Sequence, residues 1–230
     1  LTGTAQFNAG QNSTTITVVA IDDAIAEANE TVVLTLIDGV NYNLGANSTA
    51  TIIIQDNDTA GVTITESGGS TDVAEGGGTD SYTVVLNSQP TANVTITITP
   101  DGQSTVSPTS LTFTPTNWNR PQTVTVTAVD DNLAEGNHTS RITHRATSTD
   151  ANYNNITIPN VTVNVTDNDT AGVTITESGG STDVAEGGGT DSYTVVLNSQ
   201  PTANVTITIT PDGQSTVSPT SLTFTPADWN

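Results

Sequence analysis

A block of 58 residues constrains this chain most, because it occurs twice without a single change, at residues 58–115 and at residues 169–226. Identical sequences of this length favour the same local fold, so the chain is built from repeated modules. The beginning of the chain follows the same repeat out of register, since residues 15–30 resemble residues 123–138.

The repeat divides the chain into one whole module and two parts of modules. Residues 1–57 correspond to the back half of a module, residues 58–168 to a complete module, and residues 169–230 to the front half of the next. The complete module has an ordinary domain size. Two interpretations of the halves stay open. The chain is a stretch of a longer array, or the halves of identical copies complete each other in a head-to-tail, strand-sharing polymer.

Apolar and polar residues alternate through the complete module. A formal net charge of −21 makes disorder the alternative. However, residues 94–99 and 123–129 alternate Val, Ile or Ala with Thr between turn residues, which is typical of β-strands. We therefore predict an all-β chain whose complete module is a β-sandwich of about seven strands. The strands are predicted at residues 62–65, 81–86, 94–99, 111–114, 122–129, 141–147 and 161–166.

One face of these strands predicts the hydrophobic core. Glycines 76–78 and the segment 100–102 are predicted turns. His144 has the parity of a core residue, so we expect it to pack there rather than to bind a ligand. The predicted core residues are Tyr82, Val84, Leu86, Val94, Ile96, Ile98, Val124, Val126, Ile142, Val161, Val163 and Val165.

The charge balance excludes several kinds of partner. The chain has 24 acidic residues and only three basic ones, so it should repel nucleic acids and anionic membrane surfaces. The absence of cysteine excludes disulfides and thiol chemistry. No apolar run reaches the ~18 residues of a membrane span. No signal peptide is recognisable, so we expect a processed chain or a piece of a larger one.

Six acidic residues, five in the complete module and Asp169 directly after it, are expected to meet at one end of the sandwich. Two unpaired carboxylates at 4 Å repel by ~4 kcal/mol at an effective dielectric constant of about 20, and the chain contains no lysine to offset this. Ca²⁺ suits such a site because it accepts about six to eight oxygen ligands, whereas Zn²⁺ and Cu²⁺ prefer His or Cys. The alternative is a set of solvated turn residues. The six are Glu75, Asp130, Asp131, Glu135, Asp167 and Asp169.

The same acidic pattern recurs outside the complete module, which favours a metal site over chance. Glu186 repeats Glu75 in the last part of the chain. We therefore predict calcium ligands there and in the first part as well. The ligands predicted for the first part are Asp22, Asp23, Glu27 and Asp56, together with Asp58 directly after it.

These motifs resemble the Calx-beta domain family. Residues 7–36 and 50–58 are similar to the second half of a Calx-beta module, and residues 73–86 to its beginning. The resemblance implies an immunoglobulin-like Greek-key sandwich that binds Ca²⁺ at one end. It also implies ligands from an early Glu, a central Asp-Asp-x-x-x-Glu motif and a terminal acidic run. By position these are Glu75, Asp130, Asp131, Glu135, Asp167 and Asp169.

The sequence departs from the family pattern at two places. The Asp-Tyr pair that the family often carries in mid-module is missing, so Asp101 is a candidate substitute ligand. His138 stands where the first part of the chain has Glu30, which removes one carboxylate. We expect His138 at the rim of the site or in solvent.

These features predict a structural role. The sequence has no Ser-His-Asp order, phosphate-binding loop or metal-His cluster, so we expect no enzyme. We predict a calcium-binding repeat of an extracellular or cell-surface stalk, adhesin or filament, in which Ca²⁺ stiffens modules and joints. Its expected partners are neighbouring modules, identical copies, and cell-surface or extracellular-matrix components. The alternatives are a ligand-binding module (a calcium sensor, or a carbohydrate binder using Trp118) and the strand-sharing polymer.

Overall fold

The computed structural model describes residues 4–40 and 42–230, and it confirms the all-β fold. Ser67–Gly69 and Ser178–Gly180, each one turn of 3-10 helix, are the only helical segments among these residues. No helix in the described chain has the length and apolar character needed to span a membrane. The strands are β1 (Glu30–Thr35), β2 (Thr49–Ile54), β3 (Val62–Glu66), β4 (Thr71–Ala74), β5 (Thr79–Leu86), β6 (Val94–Pro100), β7 (Ser104–Ser107), β8 (Ser110–Phe113), β9 (Gln122–Ala128), β10 (His138–Ser148), β11 (Val161–Thr166), β12 (Val173–Glu177), β13 (Tyr193–Leu197), β14 (Val205–Thr208) and β15 (Ser221–Phe224).

The complete module is a sandwich of two sheets. One sheet has the strand order β4-β11-β10-β6-β8, and the other has the order β3-β5-β9-β7. Paired strands are antiparallel except β4 and β11, which run parallel. The first two strands divide between the sheets, since β3 joins one and β4 joins the other. This is the immunoglobulin-like arrangement that the sequence predicts.

Alternation along the strands builds the core between the sheets. In β11, Val161, Val163 and Val165 are buried, whereas Thr162 and Asn164 face solvent. Burying one such apolar side chain contributes about 1.5–3 kcal/mol. All of the predicted core residues are buried. The core also contains Val62, Val73, Leu111, Phe113, Ala128, Ala146, Tyr153 and Ile158.

The two strands absent from the prediction are only four residues long, and each contains a single large apolar residue. Strand β4 contains one large apolar residue, Val73, and its buried Thr71 donates a hydrogen bond of 2.9 Å to Glu66 Oε2. Strand β7 begins at buried Ser104, which shares a hydrogen bond of 2.7 Å with Ser140 Oγ. Both strands form by pairing with partners distant in sequence, so their local pattern is weak.

The repeated block shows how far these strands depend on their partners. Residues 182–185 repeat the sequence of β4 but form no strand, and the counterpart of β7 forms none either. Val184 is 62% exposed, whereas the matching Val73 is 4% exposed. The physical reason is that β4 pairs with β11 and β7 pairs with β9, and residues 169–230 contain no counterpart of β9 or β11.

His144 lies in the core face of β10, where it packs edge-on against Tyr82. Its Nε2 atom is 2.8 Å from the Tyr82 hydroxyl, and its Nδ1 atom is 3.1 Å from the Pro159 carbonyl oxygen. A neutral ring satisfies both contacts if Nδ1 donates and Nε2 accepts. Burial lowers the pKa of His144, which favours that neutral form. The histidine therefore has the packing role expected of it.

Candidate metal centre

The parallel pairing of β4 and β11 brings two acidic residues to one edge of the sandwich. Thr166 pairs with Ala74 at the end of both strands, and the Glu75 amide donates to the Thr166 carbonyl oxygen at 3.0 Å. Glu75 and Asp167 directly follow these paired residues. Parallel strands end at the same side, so the two carboxylates meet although 91 residues separate them.

The loop between β9 and β10, residues 129–137, closes over the same edge. The Gly136 amide donates to Asp167 Oδ2 at 2.6 Å, and Asn168 Nδ2 donates to Asp130 Oδ1 at 3.1 Å. Within the loop, Asp131 Oδ1 accepts a hydrogen bond of 2.7 Å from the Leu133 amide. These bonds fix the loop through its own Asp130 and Asp131 and through Asp167 and Asn168, which follow β11.

Two groups of ligand atoms result, and both contain Glu75. In one, oxygens of Glu75, Asp167 and Asp169 all lie within 4.8 Å of one another. In the other, atoms of Glu75, Glu135 and His138 meet the same limit. A centre with two such groups around one buried carboxylate is a candidate metal site.

Glu75 is the most informative of these residues. It is only 6% exposed, and its Oε2 atom is buried without a hydrogen-bond partner among the described residues. Burial first, and then the charges of Asp167 and Asp131, raise the pKa of its carboxyl group. An ionised carboxylate buried in this way is costly unless a cation or proton compensates it.

The pKa values of the neighbouring carboxyl groups shift in opposite directions. The amides of Asp169 and Gly136 donate to Asp167 and lower its pKa. Desolvation first, and then the charge of Asp167, raise the pKa of Asp169. Asp167 is therefore held ionised. Burial and the charge of Asp167 make ionisation of Glu75 and Asp169 costly, and a divalent cation would reduce this cost.

The residues present fit a hard cation such as Ca²⁺. The donor set is almost entirely carboxylate oxygen, which calcium prefers, and Glu75 Oε2 is buried with no partner in residues 4–40 and 42–230. Gly76 permits close approach of the chain here. Its φ is +74°, and a Cβ atom would lie 2.7 Å from Asn168 Nδ2. A larger residue would push the Asn168 side chain away from Asp130.

The predicted ligands of the complete module differ in their placement. Glu75, Asp167 and Asp169 share one group, and Glu135 joins Glu75 in the other. Asp130 and Asp131 lie near enough to contribute to the raised pKa of Asp169. One oxygen of each is already engaged, by Asn168 and by Leu133 respectively.

Two further residues have roles that the sequence left open. His138, expected at the rim, has its Nε2 atom buried and 3.9 Å from Glu135 Oε2. Asp101 instead serves the fold, because it accepts hydrogen bonds from Ser140 Oγ at 2.7 Å and from the Arg141 amide at 2.6 Å. Despite an opposing desolvation effect, these bonds lower its pKa. Gln103 Nε2 donates to Glu135, a contact that no sequence pattern indicated.

The first part of the chain reproduces the loop geometry. Asp56 accepts from the Glu27 amide at 2.7 Å and from the Asp58 amide at 3.1 Å. Asn57 Nδ2 donates to Asp22 Oδ1 at 3.1 Å, and Asp23 accepts from Ile25. Desolvation and neighbouring carboxylates raise the pKa of Glu27 and of Asp58. These predicted ligands are therefore gathered too, although residues 1–57 contain no counterpart of Glu75.

Glu186 is not gathered with other acids. It lies exposed in a turn, because the strand that would precede it does not form in residues 169–230. The tryptophan considered for sugar binding, Trp118, is half-buried and packs against the core. The structure thus favours a packing role for Trp118.

The chain is similar to one protein family and to several solved structures. The Calx-beta domain model matches residues 1–58 and 62–179. A solved apo-form Calx CBD1 domain is 19% identical, with a TM-score of 0.34, and the match covers 47% of this chain and 98% of that one. Domains 4 and 5 of the S-layer protein SbsC are 18% identical, with a TM-score of 0.28, and the match covers 51% of this chain and 58% of that one. SbsC domains 1–6 are 19% identical, with a TM-score of 0.28, and the match covers 78% of this chain and 27% of that one. The chain thus spans only part of both SbsC structures, and no curated protein matches it.

Proposed function

This chain belongs to the Calx-beta domain family, and from that premise we propose that it is a calcium-stabilised structural repeat of an extracellular or cell-surface stalk. Calx-beta domains form a calcium-binding family of non-catalytic β domains. In this proposal Ca²⁺ stiffens each module and the joint that follows it. Neighbouring modules are the principal partners.

The buried carboxylate of Glu75 carries the proposal. Glu75 forms a group with Asp167 and Asp169, and its Oε2 atom has no hydrogen-bond partner among the described residues. No lysine exists in the chain to neutralise these carboxylates. Solvated turn residues, the competing interpretation, would leave such oxygens in water. A cation therefore accounts for the burial better than a turn preference does.

Each residue has a distinct part in holding the ion. Glu75, Asp167 and Asp169 would supply oxygen ligands, with Glu135 on the adjoining side. Asp130 and Asp131 hold Asn168 and the Leu133 amide, so they position the loop. Bound Ca²⁺ would supply positive charge that offsets the repulsion between these carboxylates. The site needs no redox or acid-base chemistry, consistent with a structural rather than an enzymatic role.

Thermal unfolding of the full chain in about 10 mM Ca²⁺ and in EDTA tests the proposal. Extracellular modules bind calcium with a Kd of ~10⁻⁴–10⁻³ M, so this concentration stabilises the folded form by about 1.4–2.7 kcal/mol. For the complete module, residues 58–168, we expect the unfolding midpoint to rise by about 6–12 °C. A calcium sensor would instead respond at ~10⁻⁷–10⁻⁵ M, which a titration separates.

Glu75→Gln should remove most of this rise, and Glu186→Gln provides the matched control. Both substitutions change the same residue in the same local sequence, but only Glu75 lies beside other acids. An unchanged midpoint for the unsubstituted chain, or equal effects of the two substitutions, would contradict the calcium site.

A second candidate function, the strand-sharing polymer, is favoured by exposed apolar residues in the front half-module. Val173 is 49% exposed, whereas its identical counterpart Val62 is 8% exposed. A back half from the same array or from a second copy would cover this face. Pairing with a second copy would give a particle heavier than one chain in solution, whereas a back half from the same array would not.

A further inference from the structure

We propose that the β9–β10 loop, residues 129–137, is also a docking element that joins each module to the next one. The first joint connects residues 1–57 to the complete module, and the second connects the complete module to residues 169–230. Leu133 and the Asn132 carbonyl make the contact in the second joint, and Ile25 and the Ala24 carbonyl make it in the first. The receiving surface is the Ser-Gln-Pro loop of the following module, residues 88–90 or 199–201. The docking surface stands independently of calcium, whereas its control by calcium rests on the proposed function.

In the second joint the contact is both polar and apolar. The Gln200 amide donates to the Asn132 carbonyl oxygen at 2.7 Å, and Leu133 forms a parallel bridge with Gln200. The Leu133 side chain shares a cleft with Leu197 and Pro201 of the following module. The loop therefore adds a short strand-like segment to its neighbour, with an apolar side chain beside it.

The pattern of burial in the following half-module identifies this contact. Leu197 and Ser199 are the only buried residues in residues 169–230, at 8% and 7% exposure. The rest of this half-module has lost its core, and Val173 is 49% exposed. The burial at Leu197 and Ser199 lies where the preceding module docks, so it arises from the joint.

The first joint repeats the same contact with different residues. The Gln89 amide donates to the Ala24 carbonyl oxygen at 2.6 Å, and Asn152 Nδ2 donates to the Ala26 carbonyl oxygen at 2.8 Å. Ile25 is half-buried, although the acidic residues on both sides of it are exposed. An apolar residue thus occupies the same place in both acidic loops.

The receiving loop is held in place by its own module. The Tyr153 hydroxyl accepts from the Ser88 amide at 3.0 Å and donates to the Ser88 carbonyl oxygen at 2.6 Å. Gln89 Nε2 donates to the Pro115 carbonyl oxygen at 3.0 Å, and Gln200 repeats this bond with Pro226 at 2.6 Å. With both side chains engaged inside the module, the main-chain amide faces the preceding loop. Such preorganisation lowers the entropy lost on docking.

The docking residues lie between the candidate calcium ligands. Asp131 accepts from the Leu133 amide, and Asp167 accepts from the Gly136 amide. The carboxylates of the metal centre therefore hold both ends of the docking segment. On the proposed function, calcium would keep this segment in the shape that the next module receives.

Amide hydrogen exchange in the full chain, measured by NMR with Ca²⁺ and with EDTA, tests the proposal. The Gln200 amide lies outside the strands of its own module, so its protection reports docking. We expect Leu133→Ser to speed its exchange by about tenfold or more, while the Gln89 amide at the first joint is unchanged. Asn132→Ala is the matched control, because it retains the carbonyl acceptor and removes only an exposed side chain.

The outcomes separate docking from calcium binding. Free exchange of Gln200 in the unsubstituted chain with Ca²⁺, or no effect of Leu133→Ser, would overturn the docking proposal. Protection of Gln200 without any calcium effect on unfolding would retain docking and remove the proposed calcium function. Protection of the Val124 amide in every variant shows that the module remains folded.

Discussion

Replacing Tyr153 by Phe should weaken the complete module more than any other tyrosine substitution. The ring is 1% exposed, and its hydroxyl bonds to the Ser88 amide, carbonyl and side chain at 3.0, 2.6 and 2.8 Å. Phe retains the ring but leaves the main-chain groups of Ser88 without partners. Ser88 is fully buried, so water does not replace the lost bonds without opening the structure.

The magnitude follows from these unmade bonds. A buried polar group left unsatisfied costs about 1–3 kcal/mol, and Ser88 has an amide and a carbonyl affected together. We expect the free energy of unfolding to fall by about 2–4 kcal/mol, which is a large share of the ~5–15 kcal/mol of a typical domain. Tyr82→Phe loses one half-buried bond to His144 and should cost about 1 kcal/mol.

Urea unfolding of the full chain measures the effect, with Trp118 fluorescence as the signal in a Trp229→Phe background. Tyr42→Phe is the control, because Tyr42 is 83% exposed and its substitution should leave stability unchanged. If Tyr153→Phe costs no more than Tyr82→Phe, the hydroxyl does not anchor the Ser88 loop. The preorganised docking surface would then lose its main support.

Two other predictions concern charge and assembly. In EDTA, the raised pKa of Glu75 means that its contribution to stability is present below its ordinary value of 4.5 and is lost as pH rises through the raised value. The stability of the unsubstituted chain relative to Glu75→Gln should therefore fall as the pH rises above 4.5, as chemical denaturation would measure, and a flat difference would contradict it. If halves of separate copies pair, light scattering should give a mass that grows with concentration, whereas a constant monomer mass would exclude the polymer.

The sequence predicts the sandwich well because alternation is a local signal. Val161, Val163 and Val165 carry it in every second position, and all three are buried. Strand β4 could not be predicted in the same way, since its place depends on pairing with β11 about 90 residues later in the chain. The contrast between buried Val73 and exposed Val184 in identical sequence shows that the pairing, rather than the local residues, forms this strand.

The candidate site was predictable in composition but not in detail. Acids that follow strands mark the edge where they gather, which led to Glu75, Asp167 and Asp169. The burial of Glu75 and the approach of His138 depend on packing between distant segments. Ile25 and Leu133 offered a sequence signal for the joint, because each is a large apolar residue that lies between the Asp pair and the Glu of its loop.

The two forces at each joint act over different ranges, which explains why one loop would carry both. Repulsion between unneutralised carboxylates extends over about 8 Å at physiological salt, whereas packing of Leu133 in the cleft that it lines with Leu197 acts only when the surfaces touch. Asp169 belongs to the candidate metal centre and also begins the next repeated block. On the proposed function, a cation held there would lower the repulsion at the point where the next module starts, so the short-range contact would persist. Removing the cation would leave the same carboxylates opposing that contact, and the stiffness of the joint would then depend on calcium concentration.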